Sequence, residues 1–178
     1  MGSDSQWFAM RATYRREIMA QDYLNERGIK TFIPMRTVVK VVRGIKRKLR
    51  EPAISGLVFA CAPKETIQAV KLGLDYLQYL TRKQDGRNVP IVVPTAQMEQ
   101  FMQVVLDDTV EKSFFAPGEI ELAAGTKVRV HGGAFDGLEG VLVKIKGKQK
   151  KQFLIELEGI CAVGPVTIHP DLLEIVKE

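Results

Sequence analysis

Acid–base or nucleophilic chemistry at neutral pH needs an imidazole, a thiol, a hydroxyl beside a base, or converging carboxylates. The chain holds two histidines, His131 and His169, and neither has a Ser or Cys nearby in a nucleophile motif. His169 precedes Pro170, a pairing that reads as turn-shaping rather than catalytic. Cys61 and Cys161 lie one hundred residues apart inside apolar segments, which reads as two reduced core thiols. No Cys pair or Cys/His cluster has zinc-site spacing, and no metal or cofactor is expected. The glycine-rich run His131–Gly137 leads into a strand, so it offers phosphate no helix N-terminus. The acidic pairs Asp107-Asp108 and Glu156/Glu158 fall at a helix end and along one strand. The expectation is a binding protein, not an enzyme.

Charge points to what it binds. The chain carries net charge +5 over 178 residues. Up to Phe115 there are 18 Lys/Arg against 12 Asp/Glu, whereas from Ala116 onward there are 8 against 9. Between Lys30 and Arg50 stand Lys30, Arg36, Lys40, Arg43, Lys46, Arg47, Lys48 and Arg50 without one acid. Such a stretch attracts phosphate in a salt-dependent way. Lysines on a lone edge hairpin also discourage aggregation, so solvation alone is the competing reading. A second basic cluster, Lys144–Lys151 around Gly147, reads as a solvated hairpin tip. The composition, 46% apolar and 26% charged, is globular. No apolar run spans a bilayer and the N-terminus lacks a signal-peptide pattern, so a cytoplasmic protein is expected.

The elements that must position these residues fall into two textures. Gln6–Ala12 reads as a strand, Arg15–Arg27 as a helix ended by Gly28, and Lys30–Ile33 as a short strand. Thr37–Val42 and Ile45–Leu49 flank Arg43-Gly44 as a hairpin. Gly56–Ala62 is an apolar run suited to a central strand, and Lys64–Leu72 is a helix behind Pro63. Asp75–Arg82 alternates as a strand, and Pro94-Thr95 opens a helix to about Asp107. Past the breakers Ala116-Pro117-Gly118, short strands are predicted at Thr126–Val130, Gly140–Ile145, Gln152–Leu157 and Pro165–Ile168, with a last one at Glu174–Lys177. This is small-barrel spacing.

Within that second texture, Gly125, Val128, Val130, Gly133, Phe135 and Gly140 resemble a KOW motif. Val128 and Val130 would fill a small barrel, with Phe135 closing its end. In the first texture, Trp7-Phe8-Ala9-Met10, Phe32-Ile33-Pro34-Met35, Glu51-Pro52 through Gly56 to Leu57-Val58-Phe59, and Val93-Pro94 resemble the NusG N-terminal domain. Pro34–Gly44 is closer to specialised paralogues of the RfaH type. The opening Trp7–Glu17 is similar to the UpxY-like antiterminators of Bacteroidetes.

The resemblance implies an α+β fold. A NusG N-terminal α/β sandwich at residues 6–112 is joined by a linker at 113–122 to a small SH3-like KOW β-barrel at 123–178. It implies an elongation and antitermination factor, acting as a monomer and suppressing pausing or termination at operons such as those for polysaccharide biosynthesis. RNA polymerase is the implied partner, gripped at the clamp helices of its largest subunit by an apolar depression matching Trp7, Tyr14, Ile54, Leu57 and Phe59. The non-template DNA strand is a second implied partner, through Arg11, Arg15 and Arg16 at the start of the first helix. The basic hairpin residues Arg43, Lys46, Arg47 and Lys48 join them as nucleic-acid candidates. A ribosomal protein or other factor would meet the KOW domain. The aromatic by which housekeeping members reach Rho is replaced by Glu158 in Leu157-Glu158-Gly159-Ile160, in the direction of an antiterminator. A housekeeping NusG coupling transcription to Rho or the ribosome, and a KOW-containing RNA- or ribosome-binding protein, are the competing readings. The glycines and β-branched alternation after residue 125 favour a stable barrel over the helical hairpin that RfaH stores.

Overall fold

The computed structural model describes residues 4–109, 111–121 and 124–177. The chain divides into two compact units, Met1–Met98 and Glu99–Glu178.

The first unit is built on β1 (Gln6–Ala12), which lies between β5 (Leu57–Ala62) on one side and two short strands on the other. β2 (Lys30–Phe32) extends the sheet beyond β5. The register pairs Trp7 with Cys61, Ala9 with Phe59 and Arg11 with Leu57, all antiparallel. Side chains alternate across a sheet, so these residues share one face and Phe8, Met10, Val58 and Ala60 share the other. The second face carries the main core, where α1 (Glu17–Glu26) contributes Ala20 and Leu24, and α2 (Lys64–Lys71) contributes Ile67. Both faces of β1 and β5 are buried, as their unbroken apolar runs require.

β3 (Met35–Val42) and β4 (Ile45–Pro52) form a two-stranded sheet of their own. Their turn places Arg43 at φ 51° and Gly44 at φ 78°, the double left-handed geometry of a tight hairpin. The strand expected at Asp75–Arg82 is instead broken. β6 (Leu77–Tyr79) pairs with one half of β1, then the chain leaves the sheet through the hairpin β7 (Thr81–Gln84) and β8 (Arg87–Pro90). It returns as β9 (Val92–Val93) against the other half of β1. The neck is closed at Ala9, whose carbonyl accepts from Leu80 N at 2.9 Å and whose N–H donates to Ile91 O at 3.2 Å. α3 (Thr95–Leu106) follows, burying Met98, Phe101, Val104 and Val105 at helical spacing.

The second unit is a six-stranded antiparallel sheet. In chain order its strands are β10 (Ser113–Phe115), β11 (Thr126–Val130), β12 (Glu139–Val143), β13 (Gln152–Leu157), β14 (Cys161–Gly164) and β15 (Leu173–Ile175). The spatial order is β10-β14-β13-β12-β11-β15. The expected strand Pro165–Ile168 is absent. Gly159, at φ 76°, reverses the chain early enough for Cys161 to pair with Leu157, and Pro165 has no N–H to continue the ladder. Residues read as connector also contribute, since Ser113–Phe115 pairs with β14.

Candidate functional site

Two successive non-glycine residues in the left-handed region, Tyr14 at φ 58° and Arg15 at φ 56°, form the turn between β1 and α1. That conformation costs about 1–2 kcal/mol per residue, and it turns both side chains out to solvent. Tyr14 is 86% exposed. The Arg16 guanidinium carbon stands 5.7 Å from the Tyr14 ring centroid and 5.1 Å from that of Tyr76. Burial pushes the Tyr76 phenol up, against the opposing pull of Arg16. Arg11 is exposed at the end of β1.

The loop Ala53–Gly56 is tied into the same corner. Gly56 sits at φ 81°, and a Cβ there would stand 3.1 Å from Ala12 O and 3.3 Å from Arg11 Cγ. Its carbonyl accepts from Ala12 N at 2.8 Å, and its N–H donates to the Glu17 carboxylate at 2.6 Å. Glu17 is the buried charged residue among those described, a role that nothing in its spacing announces. Its place in the first turn of α1 also offsets the positive helix end, so attraction for phosphate there rests on the arginines.

The expected apolar depression is not an open patch. Trp7 is 3% exposed, Leu57 is equally buried and Phe59 is 0% exposed, because both faces of β1 and β5 are covered. Trp7 has Lys30 Nζ 5.7 Å from its ring, and Phe59 meets Phe32 at 6.5 Å between centroids. Of the five candidates, Tyr14 is exposed and Ile54 half-buried. The corner therefore brings together Arg11, Tyr14, Arg15, Arg16 and the loop bearing Ile54. The hairpin candidates Arg43, Lys46, Arg47 and Lys48 are exposed on β4 and its turn, in a separate sheet.

In the second unit, Val128 and Val130 are buried as expected, while Phe135 is half-buried. Leu138, 1% exposed, takes the buried position beside them, with Val130 N donating to Leu138 O at 2.9 Å. Gly140 is required by packing, since a Cβ would fall 2.4 Å from Leu154 O. Gly133 is in the left-handed region at φ 73°, and Gly125 is half-buried ahead of β11. The β13–β14 turn exposes Glu158 at its tip. His169 does shape a turn, its Nδ1 accepting from Asp171 N at 3.3 Å at the head of the 3-10 turn Pro170–Leu172. The Cys161 thiol is pushed up to about 12 by burial. No three His, Cys, Asp or Glu converge as a metal site among the described residues, and no helix there is long and apolar enough to cross a membrane.

The first unit is thus a five-stranded sheet with helices that presents cations and an aromatic on an exposed corner, and a six-stranded all-β sheet follows it. The family described as "Transcription termination factor nusG" matches residues 5–102, more than half of the chain, and the chain belongs to the NusG family of transcription factors. Solved structures similar to it include one titled "Domain interaction in Thermotoga maritima NusG", at 19% identity over 99% of this chain and 100% of that one, with TM-score 0.44. Another is an MjSpt4:Spt5 complex, at 16% identity over 97% of each chain, with TM-score 0.29.

Proposed function

We propose that this NusG-family chain is an elongation and antitermination factor of the RfaH/UpxY kind. It binds RNA polymerase at the clamp helices of the largest subunit and suppresses pausing or termination at particular operons. The observation that carries the reading is the β1–α1 corner, where Tyr14, Arg15 and Arg16 stand exposed beside the loop that bears Ile54. With Trp7, Leu57 and Phe59 in the core, the apolar grip falls to Tyr14 and Ile54, and the buried three set the shape beneath. Arg11, Arg15 and Arg16 hold the non-template strand by phosphate contacts and stacking on unpaired bases. The basic hairpin supplies further attraction for nucleic acid. The first unit makes the polymerase-binding domain and the second a KOW domain, with Ser113–Phe115 a strand of the second rather than part of a connector. Glu158 at the exposed turn replaces the aromatic that Rho recruitment uses, which supports antitermination over coupling to Rho.

The test is capture of core RNA polymerase by the full chain, comparing wild type with Tyr14→Ala, Ile54→Asp. Loss of capture in the variant, with its unfolding midpoint unchanged, is the expected result. No capture by wild type where a NusG control binds would overturn the reading, as would undiminished capture by the variant.

A further inference from the structure

The hairpin β3–β4 has two faces of different character. Residues directly opposite in an antiparallel pair share a face. One face carries Arg36–Glu51, Val38–Leu49, Lys40–Arg47 and Val42–Ile45. Here apolar pairs hold the ribbon together, and Glu51 binds Arg36 and Lys40, each at 2.9 Å. The other face carries Thr37–Arg50, Val39–Lys48 and Val41–Lys46, so each cation stands opposite a β-branched residue. Val39 is 62% and Val41 66% exposed. Among the described residues, none of Lys46, Lys48 and Arg50 has a carboxylate partner. On the opposite face Arg36 and Lys40 are paired and only Arg47, among the described residues, lacks a carboxylate, whereas Lys46, Lys48 and Arg50 make an unbroken row of three. A solubilising device against edge-to-edge pairing would not require such a row.

We propose that this face of the hairpin docks on double-stranded DNA, with the ribbon lying in the major groove. The inference rests on the nucleic-acid reading of the hairpin given above and names its partner. Alternate strand residues are ~6.8 Å apart, which places Lys46, Lys48 and Arg50 at the axial rise of about two nucleotides of one DNA strand. Among the described residues neither edge of the ribbon pairs with another strand, and its length of eight residues per strand is about 27 Å. A two-stranded ribbon fits the major groove of B-form DNA, about 12 Å wide, and there Val39 and Val41 meet thymine methyl groups. The deep, narrow major groove of A-form RNA admits no such ribbon, so the partner is duplex DNA.

The experiment measures binding of the full chain to a short fluorescent B-form duplex, to a single strand of the same length and to double-stranded RNA. Wild type is compared with Lys46→Gln, Lys48→Gln, Arg50→Gln, and capture of core RNA polymerase is run in parallel. The expected result is weaker duplex binding by the variant, with a distinctly smaller loss on the single strand and polymerase capture kept. Raising salt from about 50 to 200 mM should weaken the wild type about fortyfold more than the variant, because three phosphate contacts are gone. No duplex binding by a wild type that captures polymerase overturns the DNA inference alone. Equal weakening on single strands, or double-stranded RNA bound as tightly as DNA, overturns it too. Absence of both polymerase capture and duplex binding overturns it together with the proposed function.

Discussion

Strands β4 and β5 are joined by Ala53–Gly56 and both carry aliphatic side chains, Ile45 and Leu49 in the first, yet they meet opposite fates. β5 is covered on both faces and shares its register with β1 across six pairs. β4 and its partner β3 keep Val39, Val41, Ile45 and Leu49 in solvent. The difference lies in what stands between the aliphatics. In Leu57–Ala62 nothing charged interrupts, so a second layer can close over either face; in Ile45–Pro52 a cation at Lys46, Arg47, Lys48 and Arg50 makes that closure prohibitive. Aliphatic content sets how much a strand gains from burial, and the charges among the aliphatics decide whether burial happens.

Substitutions sharpen this contrast. Phe59→Ala is expected to destabilise the first unit by about 3–5 kcal/mol in denaturant unfolding. Val41→Ala, on the hairpin, should stay within about 0.5 kcal/mol. Equal effects would mean that the hairpin is packed in solution. The same reasoning makes Leu57→Glu or Phe59→Glu a disruption of the core rather than a probe of a surface. At single glycines, Gly140→Ala should cost about 3 kcal/mol, since its Cβ meets backbone. Gly44→Ala, with nothing within 4 Å but φ at 78°, should cost about 1 kcal/mol. Glu17→Ala strands the Gly56 N–H and should cost about 2 kcal/mol, with amide exchange at Gly56 and Leu57 accelerated first. Unchanged exchange there would show that the carboxylate does not brace the loop. The smallest effect is electrostatic. Hydrogen bonds from Lys40 and then Arg36 hold the Glu51 carboxyl below the ordinary value of 4.5. Its contribution is therefore present at neutral pH and lost as pH falls through that lowered pKa. Carboxyl titration by NMR should show the lowered value rising toward 4.5 in Lys40→Gln.

Local chemistry made much of this legible in advance. Gln6–Ala12, Thr126–Val130 and Gln152–Leu157 were bounded by turn formers and carried either an apolar run of strand length or, in Thr126–Val130, alternation, and they form strands with those limits. Arg43-Gly44 marked its hairpin because few dipeptides tolerate two left-handed residues. What stayed illegible depended on distant partners. Trp7 and Tyr14 are both aromatic and seven residues apart, but β5 pairing buries one and a left-handed turn exposes the other. Leu138 rather than Phe135 is buried because the backbone of Val130 folds back onto it. Glu17 looked like any first-turn acid until Gly56, 39 positions along the chain, was brought to it.

The interrupted edge of the first sheet has one more consequence. β7 and β8 leave and re-enter at adjoining points, with Thr81 facing Pro90 and Ile91 N donating to Leu80 O at 2.9 Å. β1 keeps both its short partners however long that excursion is. The segment Thr81–Pro90 is thus a replaceable cassette, free to lengthen, shrink or change its loop without shifting a single pair of the sheet beneath.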